Sequence, residues 1–493
     1  MLTIRTADED TLVMGAEPET PSVPSVEDRY RRGTLQYTRA GLITLFVWLL
    51  WGDFCFTLME AVVPNILPLK LNSLGASNLL IGLLMSTIPS AMGLTVNPIV
   101  SYKSDRYRSR WGRRIPFLLF STPILALFLI LIGFSEEIGH FVHGFLLRKN
   151  ISISQINITL TLIGTFVVGF QFFNRIVMSM YYYLFNDVVP SAFTSRFFSL
   201  FRLVGAAAGS LFYILLFPYA RTHMREIFLG AGVLYFVTFM LICWRVREEN
   251  HPPLPQNTGE RTGIVAAAKT YFVECFTHRF YLYYFLSNAM WGMAGCIGIF
   301  VIFLQLSLGL DMKQIAWLYG FINILTFLLY YPAGIISDRY HPLRLLLVSM
   351  AGITVIGLVG FIYLFHNFTP TAVLNITYVQ VVIGLVIGIV YGTTNVPTAM
   401  KLLPKDRYGQ FSSADGMVGS MAILVGGLLA GGFMDLMKMV HHGNPFYYRY
   451  IPVWTFVFQL ASLILMFRVY RGWQRLGGDK NYVPPDVSVN IHK

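Results

Sequence analysis

The chain has 493 residues, 55% of them hydrophobic and only 13% charged, with a formal net charge of +12. That excludes a string of soluble domains, which average about half apolar and about a quarter charged. The basic surplus does not point to nucleic acid either, because Lys and Arg fall between apolar runs and not on one polar face.

In chain order, residues 1–39 are polar, with Pro18, Pro21 and Pro24 and no apolar signal-peptide core. They read as a disordered cytoplasmic tail, so the first span must serve as its own insertion signal. Apolar runs then recur at the roughly 20 residues that a bilayer core requires. The first six spans are expected near 40–67, 78–101, 115–134, 157–187, 197–220 and 226–245. A polar linker follows over 246–278, with His251-Pro252-Pro253-Leu254-Pro255 and a short amphipathic helix expected around 263–275. Six more spans are expected near 279–308, 313–337, 343–366, 373–400, 409–437 and 447–468, before a cytoplasmic tail over 471–493. Backbone this apolar must close its own hydrogen bonds, so the spans are helices. The expected fold is an all-α membrane protein of two six-helix bundles, 40–245 and 279–470.

The basic residues orient it. Arg29, Arg31, Arg32 and Arg39, the cluster Lys103 to Arg114, and Lys401, Lys405, Arg407, Arg468, Arg471 and Arg475 lie on the side of the termini. The other side holds only Lys70, Arg148, Lys149, Arg221, Arg225, Lys313, Lys438 and Arg449. Both termini are therefore expected in the cytoplasm. Sequons at Asn150, Asn157, Asn367 and Asn375 fall in or near the opposite loops. The halves echo each other, with Ser104-Asp105-Arg106-Tyr107 after span 2 and Ser337-Asp338-Arg339-Tyr340 after span 8. Such parallel repeats suit a carrier that rocks two bundles about a central site.

Cys55, Cys243, Cys275 and Cys296 sit singly, in neither a disulfide nor a metal spacing. There is no P-loop and no nucleophile–base arrangement, which argues against an enzyme or an ATP-driven pump. No cofactor or metal is expected.

The segment from Asn97-Pro98-Ile99-Val100 through Ser104-Asp105-Arg106 to Ser109-Arg110-Trp111-Gly112-Arg113-Arg114-Ile115-Pro116-Phe117 resembles the loop 2–3 signature of the major facilitator superfamily. More narrowly, it is similar to the sucrose–proton symporters and their glycoside–pentoside–hexuronide relatives. The resemblance implies a secondary active transporter of a glycoside or disaccharide, working by alternating access as a monomer in a plasma or bacterial inner membrane. It also implies a gate in which Asp105 latches the start of span 11 near Phe411-Ser412-Ser413, and Asp338 latches span 5 around Arg196. Arg106, Gly112, Arg113, Arg114, Arg339 and Arg407 belong to the same gating set. Loop chemistry agrees: a tight turn needs Gly112, and the arginines pin the loop to an anionic lipid surface. A carrier of another solute and a sensor that binds without transport remain the alternatives.

Ionisable groups inside a span are costly and default to functional candidates. Span 1 has Asp53 and Glu60, seven residues apart and so on one face. Span 4 has Gln171, Asn174 and Arg175. At 1.5 Å per residue, Asp53 and Arg175 lie about 20 Å and about 18 Å from the cytoplasmic end, so a pair between them is expected. Glu60 has no basic partner at its depth, which suits a proton site. In the sucrose symporters a span-4 aspartate carries the proton, and here Asn174 matches it and cannot titrate. Proton coupling would then rest on Glu60 or Asp53, unless sodium couples instead or the protein is an uncoupled facilitator; sodium coupling is disfavoured because span 2 has no carboxylate. The second half offers Tyr284, Asn288, Trp291, Asn323, Tyr391 and Asn395, rings and amides of the kind that a neutral sugar needs.

Overall fold

The computed structural model describes residues 30–32, 35–190, 193–248, 273–405 and 407–485. Among them, twelve helices are long and apolar enough to cross a membrane. Their helical cores are Arg39–Ser73 (span 1), Ile88–Arg106 (the main part of span 2, which starts at Asn78), Ile115–Gly133 (span 3), Gln155–Val188 (span 4), Thr194–Leu211 (span 5) and Met224–Arg245 (span 6). The second six are Arg279–Cys296 (span 7, continuing to Ser307), Met312–Arg339 (span 8), Pro342–Gly357 (span 9, continuing to Phe365), Pro370–Leu402 (span 10), Tyr408–Val440 (span 11) and Ile451–Arg475 (span 12).

The ends are set by local chemistry. Thr38, Ser77 and Thr369 cap spans 1, 2 and 10 by accepting from Gly41, Leu80 and Ala372 N–H groups. Asp311 and Gln314 form a reciprocal capping box on span 8. The turn between spans 1 and 2 closes through Gly75 at φ +76°.

Packing repeats with a shift of six. Span 3 packs on spans 4 and 6, and span 9 on spans 10 and 12. Span 1 packs on spans 5 and 6, and span 7 on spans 11 and 12; span 2 meets span 4 as span 8 meets span 10. The halves join along two seams, span 2 with span 11 and span 5 with span 8. The end that carries Arg39 and Arg475 is called here the termini end, and the opposite one the far end. Spans 2 and 5 each contain a π-helical turn, Leu83–Thr87 and Phe212–Leu216, in the far-end part of their seam.

Two elements differ from the sequence expectation. A helix at Ser135–Arg148 stands between spans 3 and 4, its glycine face against Thr159 of span 4 through Gly139. Asn157 and Asn375 lie near the starts of spans 4 and 10, beside the far-end loops, as expected. Residues 471–485 are packed, not a free tail. Trp473 is buried, Tyr482 Oη donates to Leu402 O (2.7 Å), and Tyr281 Oη donates to Pro485 O (3.1 Å). The expected tail over 1–29 and the expected linker helix lie outside the described residues, except for a helical turn at Val273–Phe276.

Candidate functional site

The interior polar groups form one cluster in each half. In the first half, Asp53 and Glu60 both face inward from span 1 but meet different partners. Glu60 Oε1 accepts from Asn174 Nδ2 at 2.7 Å. Glu60 and Asn174 share a cavity of about 180 Å³ with Gln171, Arg175, Phe170 and Met85, between spans 1, 2 and 4. That is below the roughly 300–1,000 Å³ of a ligand pocket, so it has room for one polar group of a larger solute. Arg175 Nε and Asn174 Oδ1 are buried there without a hydrogen-bond partner.

Asp53 does not pair with Arg175. It is 1% exposed, and Thr57 donates to its Oδ1 at 3.5 Å. Its Oδ2 has no partner and points toward span 5, where a Cβ on Gly205 would lie 3.8 Å away and where Arg202 supplies the cationic field. The cause is helix register. Spans 1 and 4 run antiparallel, so Glu60 opposite Asn174 puts Asp53 level with Tyr181, whose Oη donates to Leu49 O at 2.5 Å. The pairing expected from depth misses by six residues, between one and two turns.

In the second half, Asn288 Nδ2 donates to both oxygens of Asp415, each at 3.0 Å. Tyr284 is buried beside them. About a turn along span 7, Trp291 stacks on Tyr391 of span 10, with centroids 4.7 Å apart and planes at 24°. Asn395 Nδ2 reaches Tyr391 Oη at 3.5 Å. So Tyr284, Asn288, Trp291, Tyr391 and Asn395 come together. Asn323 does not join them: its Nδ2 donates to Tyr319 O at 2.9 Å, and it faces Gly209 across the seam of spans 5 and 8. Asp415 is the member that sequence reasoning missed. The signal existed, since Asp415 and Asp435 are carboxylates inside an expected span, the criterion that singled out Asp53.

At the termini end, the loop after span 2 is bound within its own half. Arg113 clasps Asp187 at the end of span 4, with Nε to Oδ2 at 2.8 Å, and Arg114 Nε reaches the same Oδ2 at 3.2 Å. Glu248, just after span 6, accepts from the N–H groups of Arg113, Arg114 and Ile115 at 2.6–2.9 Å. Burial pushes the Glu248 carboxyl up, while those three amides pull it down. Gly112 has φ +102°, and a Cβ there would strike the Glu248 side chain. Arg106 lies over the Tyr102 ring at 3.4 Å. Arg407 pairs with Glu274 at 3.2 Å, within the second half, and Arg339 is exposed. The side chains of Asp105, Arg196 and Asp338 lie outside the described residues, and so do the two latches expected of them.

Comparison with known proteins agrees with this architecture. The family model of the Major Facilitator Superfamily matches residues 49–427. Human solute carrier family 45 member 4 is 25% identical over 250 residues, 48% of this chain and 31% of that protein. The sucrose transport protein SUT1 of Oryza sativa subsp. japonica is 37% identical over 80 residues, 16% of this chain and 15% of that protein. The chain thus spans a third or less of the length of these relatives. Among solved structures, a bacterial homolog of the human lysosomal transporter Spinster has a TM-score of 0.63 at 13% identity, covering 91% of this chain and 100% of that one. A D-xylose–proton symporter has a TM-score of 0.61 at 12% identity, covering 90% and 99%. Twelve spans, packing repeated after six, and a family match across both halves lead to one conclusion: the chain belongs to the major facilitator superfamily.

Proposed function

We propose that the chain carries a neutral sugar, a glycoside or disaccharide, across the membrane by alternating access, coupled to a proton and acting as a monomer. The observation that carries this reading is the stacked Trp291–Tyr391 pair beside the Asn288–Asp415 amide–carboxylate contact. Sugar C–H faces stack on rings, and each hydroxyl needs a donor and an acceptor nearby. The likeness to a rice sucrose transport protein supports it. The proton reading draws on Asp53, buried with one oxygen unpartnered, and Glu60 stands as the second carboxylate. The basic surplus at the termini end supports a cytoplasmic placement of both termini.

Uptake of labelled sucrose and other disaccharides into proteoliposomes, with and without a pH gradient, tests this. Saturable uptake that concentrates the sugar down a proton gradient is the expected result. Saturable binding without uptake would make the protein a sensor. Neither uptake nor binding of any saccharide would point to another solute.

A further inference from the structure

Three features outside the central clusters are built for a purpose. One is a cavity of about 410 Å³ in the second half, another the Glu248 cap, and the third the far-end seam of spans 2 and 11. The seam joins the two halves through a carboxylate at a helix start. Span 2 begins at Asn78, and the first N–H groups of a helix have no partner inside it. Ser77 Oγ takes one, that of Leu80. Two others are taken by a carboxylate from the opposite half. Asp435 Oδ1 accepts from Asn78 N at 2.9 Å and from Asn78 Nδ2 at 2.8 Å, and Asp435 Oδ2 accepts from Leu79 N at 2.8 Å.

The backbone is shaped for this contact. Gly427 and Gly431 on span 11 lie one turn apart and let span 2 come close. A Cβ on Gly431 would sit 2.6 Å from Asn78 O, and one on Gly427 2.6 Å from Ser86 Cβ. Small residues at such spacing are how membrane helices approach closely. Deeper in the seam, Thr87 Oγ1 donates to Leu424 O at 2.8 Å. The other seam is closed at the same end by different means: Tyr213 stacks on Tyr319 at 5.2 Å, with no carboxylate among the described contacts.

We infer that Asp435 is the positioning residue of the far-end gate, holding the start of span 2 against span 11 whenever that end is shut. The inference rests on the alternating-access reading, because only a carrier whose far end opens must break this contact. Three charge-assisted hydrogen bonds, two of them to a helix N-terminus whose dipole favours an anion, make one cooperative catch. The two helices are antiparallel. Asp435 lies in the last turns of span 11 beside the first turn of span 2, and Asp105, one residue before the end of span 2, lies at the end where span 11 begins. One helix pair therefore has an acid at each end, and in this structure the far-end one is engaged.

Spin labels at Ser73→Cys and Met439→Cys, both exposed at the far end on opposite halves, report the gap in nanodiscs once the four native cysteines are replaced. Unliganded protein should show one short distance, with a longer one growing when sucrose is added or the pH is changed. Asp435→Ala should raise the long-distance population at least about tenfold without ligand. Asp435→Asn, whose amide oxygen still accepts an N–H, should fall between, and Asn78→Ala should give a smaller shift because the backbone donors remain. Unchanged distances in all three variants, while the parent opens with ligand or pH, would overturn the role of Asp435 alone. If no condition and no variant opens the far end, the alternating-access reading fails and the inference falls with it. Should Asp435→Ala not fold, the Asp435→Asn and Asn78→Ala variants decide.

Discussion

At the residue scale, the three interior carboxylates have unlike surroundings. Glu60 has an amide donor at 2.7 Å and shares its cavity with Arg175, Asp53 has one oxygen without a partner, and Asp415 is held by Asn288. A carboxylate that moves a proton should be dispensable for exchange but not for accumulation. Asp53→Asn is therefore expected to abolish concentrative uptake and to spare sugar exchange, measured in one proteoliposome preparation. Retained accumulation would leave Glu60→Gln as the next variant to try. For Glu60 and Arg175, a double-mutant cycle on thermal stability should show coupling above about 0.5 kcal/mol, whereas Asp53 and Arg175 should be additive. On the substrate side, Trp291→Ala removes one plate of the stack. It should weaken sugar binding about tenfold in a fluorescence or calorimetric titration, with an intact elution profile.

Asp53, Glu60 and Arg175 show which parts of a site are legible in a sequence. Composition and depth are one-dimensional, so Asp53, Glu60 and Arg175 stood out at once as charges in apolar runs. Which carboxylate opposes the arginine depends on where an antiparallel neighbour sits along its axis. Sliding the neighbour along that axis leaves the buried face of span 1 unchanged and so leaves no trace in its pattern.

At the scale of elements, loop chemistry joins helices that are distant in sequence. Glu248 caps span 3 from just beyond the termini end of span 6, and Asp187 draws in the two arginines that precede span 3. Removing Glu248 leaves three helix-start amides without their acceptor. Glu248→Ala should lower stability by about 3 kcal/mol, read as a lower melting temperature in detergent. Gly431→Leu acts on the seam by size: no side chain fits between the backbones of spans 11 and 2, so the far end should stand open. Reactivity of a Ser86→Cys probe toward a water-soluble maleimide would rise several-fold, and protection equal to that of the parent would contradict it.

At the scale of the whole molecule, the two halves use one packing plan twice, with spans 1–6 and 7–12 paired in the same order. They meet along two seams, both closed at the far end in this structure. A ligand that binds between such halves stabilises the state it fits. Sucrose at a hundred times its dissociation constant should add about 2.7 kcal/mol, seen as a raised melting temperature that Trp291→Ala weakens.

The amino-acid sequence by itself determined the number of spans, the division after span 6, the family and the residue types inside the bundle. The spans and the residue types inside them follow from local composition against a bilayer of fixed thickness, where buried backbone must be helical and charge must be rare; the division follows from the polar linker and the repeated Ser-Asp-Arg-Tyr, and the family from the motif of the loop after span 2. The tertiary structure alone decided what those residues touch. It put Glu60, not Asp53, in one cavity with Arg175, brought Asp415 to Asn288, turned Arg113 and Arg114 inward to Asp187, and set Asp435 on the start of span 2. Contacts between helices depend on axial register, rotation and the closeness that glycines permit, and none of these is written in the periodicity of a single helix.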